Sequence, residues 1–155
     1  VAVGAGLGGL WGLWKSYSDL NTSQPQSKDD SKYPNIKYDE FAQDSVNKFR
    51  VYQSYDPTSF DELLYNLDRM IGLQISVNDG KTNANFSHKA TRYFYNIEAA
   101  LKNLKHSLRY VPVPNLDTDA EEILQIADDY RNNITIDTNE FLMSHRSSDY
   151  TPPLH

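Results

Sequence analysis

Three glycines at the head of the chain, Gly4, Gly6 and Gly9, have the spacing at which a backbone turns tightly and presents its N–H groups to a pyrophosphate. Four carboxylates, Asp117, Asp119, Glu121 and Glu122, crowd together further on and offer the oxygen ligands that a hard cation needs. Four histidines, His88, His106, His145 and His155, complete the groups able to hold a metal or move a proton. The carboxylates, however, lack a loop with a central glycine and a terminal bidentate Glu. Acids in the first turn of a helix are already explained by its dipole. The histidines have no metal-binding spacing. No GxSxG, HExxH, P-loop or paired His–carboxylate motif occurs. The absence of cysteine excludes disulfides, thiolate catalysis and Cys-based metal sites. No catalytic residue, metal or cofactor is therefore expected, and the chain reads as a non-enzyme.

One alternative rests on the glycines. Preceded by Val1-Ala2-Val3, the stretch Gly4-Ala5-Gly6-Leu7-Gly8-Gly9 resembles the first strand and phosphate turn of the flavin- or nicotinamide-binding Rossmann family. That resemblance implies cofactor binding at Gly4, Gly6 and Gly9, in a fragment of an FAD- or NAD-dependent oxidoreductase. The family's pattern then needs a long helix, a second strand and an acidic residue about 20 positions on. Here the apolar pattern stops at Trp14, and the next acidic candidates, Asp39 and Glu40, lie too far along and head a helical pattern.

The same stretch reads better as a docking helix. Residues 1–14 carry no charge, and Gly4, Gly8 and Gly12 recur every four residues, so a helix would present one flat face to a close neighbour. Trp11 and Trp14 suit a membrane–water interface, and Lys15 closes the segment as an interfacial anchor. Fourteen helical residues reach only about 21 Å, against a hydrocarbon core of about 30 Å. The segment is thus expected to enter one leaflet or a protein neighbour rather than to span. No basic stretch precedes it, so it lacks the layout of a secretory signal.

These features need elements to position them. The 155 residues suggest one domain with appendages. Hydrophobic residues make up 39%, below the about 45–50% of ordinary domains, and eleven of them are tyrosines, which suit protein contact surfaces. The net charge of −6 argues against nucleic acid as a partner. Residues 15–37 mix Ser, Asn, Gln, Asp, Lys and Pro and read as a polar linker. The predicted body, 38–133, is all-α, a bundle of three or four helices.

The first predicted helix spans about 38–52, with Phe41, Ser45/Val46 and Phe49 inward. A second starts at a capping box, Ser59 to Glu62, buries Phe60, Leu63, Leu64, Leu67, Met70 and Ile71, and stops at Asn78-Asp79-Gly80. A third, 87–109, buries Phe94, Ile97, Leu101, Leu104 and Leu108. A fourth starts at Thr118 and buries Ala120, Ile123, Leu124, Ala127 and Tyr130. Beyond Asn133 an extended piece at 134–136 and a C-terminal arm, 134–155, are expected.

Charge is divided between the last two helices. His88–Tyr110 holds Lys89, Arg92, Lys102, Lys105 and Arg109 against Glu98, a local +4. Leu116–Asn132 holds Asp117, Asp119, Glu121, Glu122, Asp128 and Asp129 against Arg131, a local −5. Phosphate or an acidic lipid surface would suit the basic helix, but the simpler expectation is that the acidic helix balances it.

In layout the chain resembles small minor capsid proteins of large icosahedral double-stranded DNA viruses, some of which bridge an internal membrane and an outer shell. The likeness lies in a short apolar end, a helical body and polar arms, and it transfers no site residue. It implies a structural subunit, membrane-associated beneath an outer shell, with other subunits and a lipid leaflet as partners. An accessory subunit of an organellar membrane complex would share this layout.

Overall fold

Asp39 and Asp56, two acidic residues with non-helical backbone, set where the first two helices begin. In the computed structural model, which describes residues 32–149 and their side chains through 145, each aspartate turns its carboxylate onto the N–H three residues ahead. Asp39 caps α1 (Glu40–Phe49) through Ala42 N at 3.1 Å, and Asp56 caps α2 (Pro57–Asn78) through Ser59 N at 3.1 Å. α3 (Phe86–Ser107) and α4 (Leu116–Asp149) follow. Short 3-10 turns occupy Ile36–Tyr38 and Arg50–Tyr55. No strand occurs among the described residues, and the fold is an all-α four-helix arrangement. The residues of the expected anchor (Gly4, Gly8, Gly12, Trp11, Trp14, Lys15) and of the glycine fingerprint (Gly4, Gly6, Gly9) lie outside the described residues.

Residues from Tyr33 onward form a compact unit of their own. α2 and α3 pack as a hairpin, α4 lies along both, and α1 packs on α4. The core is the set of seams that periodicity marks: Leu63, Leu67, Met70 and Ile71 of α2, Ile97 and Leu104 of α3, and Ile123 of α4 are all essentially sealed from solvent. Val46 and Phe49 join from α1. Phe41 does not. It is half exposed, and Ala42 fills the inward position instead.

Several boundaries differ from the sequence reading. α2 starts at Pro57, not after Ser59, because an Asp cap followed by proline at the first helical position outcompetes a serine two residues later. α4 starts at Leu116, so Thr118 sits inside its first turn, where Asp119 N donates to Asn115 O at 2.9 Å. At the far end of α2, Gly80 adopts φ 77°, its N–H reaches Val77 O at 2.9 Å, and Lys81 N reaches Ser76 O at 2.8 Å. This paired closure needs a left-handed residue, which explains why the expected turn falls there.

The largest correction concerns the C-terminal side. Residues 134–149 continue α4 as helix, so there is neither an extended piece at 134–136 nor an arm starting at Ile134. Ile134 and Thr138 are buried. Thr138 Oγ1 lies 2.8 Å from Thr82 Oγ1, Asp137 accepts from Gln74 Nε2 at 3.0 Å, and Phe141 sits over Gly80. Packing against the α2–α3 loop holds as helix a β-branched, Asn-rich stretch that is a poor helix former by itself.

The linker boundary shifts as well. Tyr33 and Ile36 are buried, and the segment 33–38 is strapped along α2. Tyr33 Oη donates to Asp61, and Asn35 N donates to the buried Asp68 Oδ1 at 2.6 Å. Asn35 Nδ2 adds bonds to Asp68 Oδ2 and to its carbonyl, both at 3.3 Å. Gly72 makes room, since a Cβ there would stand 2.8 Å from Asn35 Nδ2.

Candidate functional site

The acidic start of α4 is taken apart by its neighbours rather than gathered into one cation site. Asp117 faces Lys105 of α3 at 3.4 Å. Asp119 accepts from Tyr52 Oη at 2.9 Å. Glu122 pairs with Lys48 of α1 at 2.9 Å. Three of the four acids thus point to three different elements. Among the described residues no three His, Asp or Glu side chains converge in a way that would hold a metal ion.

These contacts move the ionisation of their partners. Burial, then the nearby Asp119, pushes the Tyr52 phenol up to about 12. The hydrogen bond that Lys48 donates to Glu122 raises it above the ordinary lysine value, against a smaller opposing effect of burial. Asp56 is held below the usual carboxylate range, first by the Ser107 hydroxyl at 2.8 Å and then by Ser59. Tyr130 is pushed well above the ordinary tyrosine range by burial and then by Asp39. All four shifts belong to groups that join one helix to another.

Asp128 and Asp129 sit oddly near a helix end at Asn132, but α4 runs on, so they are mid-helix. Asp128 Oδ1 accepts from Arg131 at 2.5 Å, and Asp129 accepts from Gln125 at 3.0 Å. The Arg131 guanidinium also lies 4.1 Å from the Phe94 ring centroid, on α3. The acids of α4 meet the basic helix in a direct ion pair at one point. Lys105–Asp117 is the α3–α4 ion pair among the described residues.

A groove of about 400 Å³ runs between α3 and α4. Its floor is apolar, from Ala99, Leu101, Ala120 and Leu124, and its rim carries Tyr95, Lys102 and Lys105 together with Glu98 and Glu121. Two lysines set against two carboxylates leave it without a strong preference for either charge. Its size and apolar floor suit a protruding side chain of a partner.

Among the described residues the histidines do not gather into a site, and His155 lies outside them. His88 and His106 are exposed on α3, and His145 stacks on Phe141 with ring centroids 3.8 Å apart. Among the described residues, Tyr93 is half-buried against the core and the other tyrosines divide into two kinds. Tyr33, Tyr52 and Tyr130 are structural donors to aspartates, whereas Tyr38, Tyr55, Tyr65, Tyr95 and Tyr110 present their rings to solvent. Sequence reasoning missed Asp39, Asp56, Asp61 and Asp68 as the acceptors that tie the bundle together. Only the Asp56-Pro57 pair carries a local signal for that role.

Comparison of the chain with family models, with curated proteins and with solved structures returned no match. The functional reading therefore rests on the chain's own surface.

Proposed function

We propose that the chain is a structural subunit of a larger assembly, docked through residues 1–14 and contacting neighbouring subunits through its helical body. The observation that carries this reading is the number of exposed large side chains on an otherwise well-sealed bundle. Tyr110 is 85% exposed and Tyr38, Val51 and Met143 are each 68% exposed, with Phe41, Tyr55, Tyr65, Tyr95 and Ile136 also outward. Tyrosine offers broad, stiff contact area at little entropic cost, which is why it is enriched at interfaces. No helix among the described residues is long and apolar enough to cross a membrane, so within this reading membrane attachment falls to residues 1–14.

The setting most in keeping with this layout is a membrane-containing particle, with the chain as a minor capsid subunit beneath an outer shell. An accessory role in an organellar membrane complex is the alternative. The Rossmann alternative would need a parallel sheet for its glycine turn to join, and the described residues supply no strand.

The test is fractionation of the full chain beside a version lacking residues 1–14. The full chain should be recovered with membranes or with an assembled particle, and the shortened chain should not. If both remain soluble and monomeric, the reading is wrong. A bound flavin or nicotinamide in the purified full chain would favour the oxidoreductase instead.

A further inference from the structure

The outward face of α3 is a stripe that the bundle leaves uncovered. His88, Arg92, Tyr95, Ala99, Lys102 and His106 recur at alternating steps of four and three, and all six are exposed. Arg109 and Tyr110 extend the stripe past the end of the helix. The Arg109 guanidinium lies 4.7 Å from the Tyr110 ring centroid, and its Nη1 donates to His106 O at 2.7 Å. Neither Arg92 nor Lys102 forms an ion pair among the described residues. The carboxylates nearest to the stripe are Glu98, half-buried at its edge, and Glu121, across the groove on α4. The segment His88–Tyr110 carries +4 in a chain whose total is −6, so charge is sharply divided over the molecule.

We infer that this face lies against the surface of an anionic bilayer, a reading that rests on the membrane attachment proposed above. A flat sheet of headgroups can meet one face of the bundle and leave the acidic faces in solvent. Beyond about 8 Å, their repulsion is screened at physiological salt. The cations alternate with Tyr95 and Tyr110, whose rings are apolar and whose hydroxyls are polar, the combination that settles at headgroup level. Residues 1–14 would then supply insertion, and the α3 stripe would supply orientation and a preference for acidic lipid. One apolar contact and one basic contact together hold a protein at a surface more firmly than either alone.

The experiment is co-sedimentation of the full chain with vesicles of phosphatidylcholine alone and of phosphatidylcholine mixed with phosphatidylserine, at low and high salt. The wild type should prefer the phosphatidylserine vesicles at low salt. Arg92→Gln/Lys102→Gln should lose that preference by roughly twentyfold, about fivefold per cation, while still binding phosphatidylcholine. The charge-conserving Arg92→Lys/Lys102→Arg should keep the preference. Equal binding of the wild type to both vesicles overturns the inference and leaves the insertion of residues 1–14 standing. Failure to bind either overturns both. A preference that survives Arg92→Gln/Lys102→Gln also overturns it. So does binding of duplex DNA, or salt-sensitive self-association, without any preference for phosphatidylserine.

Discussion

Tyr130, on α4, donates its phenolic hydrogen to the Asp39 carboxylate, whose other oxygen caps α1 through Ala42 N. One aspartate thus starts the first helix and fastens it to the last. Removing the hydroxyl with Tyr130→Phe should leave the cap intact and cost about 1.5–3 kcal/mol, the usual contribution of a bond to a charged group. Asp39→Ala should cost more, because about 1 kcal/mol of capping is lost as well. Urea unfolding of both variants and of the double variant would measure the coupling between them. A coupling near zero would mean that the contact adds nothing to stability.

Asp56 makes a similar junction between the start of α2 and the end of α3, through Ser59 N and the Ser107 hydroxyl. Its carboxyl is held below the ordinary range in the folded protein, so its contribution is present above the unfolded value of about 3.9 and is lost as pH falls through the folded value. Asp56→Ala should therefore be about 1–2 kcal/mol less stable than wild type at pH 7, with the gap narrowing below about pH 4. Asp56→Asn, which can still cap, should fall between Asp56→Ala and wild type at pH 7, the shortfall being the pH-dependent part, and approach wild type at pH 3. Urea titrations at pH 7 and pH 3 separate these outcomes.

Ile134 distinguishes a helix built into the body from a loose arm. It is fully buried, so Ile134→Ala should cost about 2–5 kcal/mol. Ile136, two residues on and 52% exposed, should tolerate alanine within about 0.5 kcal/mol. Thermal or urea melts of the two variants should differ accordingly, and equal behaviour would place 134–136 outside the core.

Gly72 offers a test in which the sign depends on the background. Alanine there gains about 1 kcal/mol of helix propensity but drives its methyl into Asn35 Nδ2, which is bonded to the buried Asp68. Gly72→Ala should destabilise the wild type. In an Asn35→Ala background the same change should stabilise, since the obstructing amide is gone. Amide exchange across residues 33–38 would show whether the strap loosens in the first case.

Much of the fold was legible in hydrophobic spacing. The seams Phe60 to Ile71 and Phe94 to Leu108 are the buried faces of α2 and α3, and Asn78-Asp79-Gly80 ends α2 as its turn residues require. The fourth helix was legible only to Asn132. Its inward positions continue through Ile134 and Thr138, but one is polar and the surrounding stretch 132–139 is β-branched and Asn-rich, so local propensity hid the period. Phe41 was misplaced because hydrophobicity alone cannot choose between Phe41 and Ala42 when close helix packing favours the smaller residue. The polar junctions were illegible for a different reason. Tyr33–Asp61, Asn35–Asp68 and Tyr130–Asp39 join residues far apart in the chain, and no local pattern marks which aspartate will meet which tyrosine. The basic stripe was visible as a composition, and its lack of an intramolecular counterpart emerged only from where the α4 acids turn.

The reach of α4 has a consequence for how the molecule comes to be made. At 34 residues it extends about 51 Å, and it is the element against which α1, α2 and α3 all rest. The α2–α3 hairpin joins neighbours in sequence and can close while the chain is still being synthesised. α1 cannot settle until its partner, the last of the four helices, has been made. Until then Val46, Phe49 and the α4-facing sides of the hairpin remain open to water and to other chains. Assembly of the body therefore waits for α4, and a chain interrupted before Leu116 would present its neighbours with an unfinished core rather than a smaller folded domain.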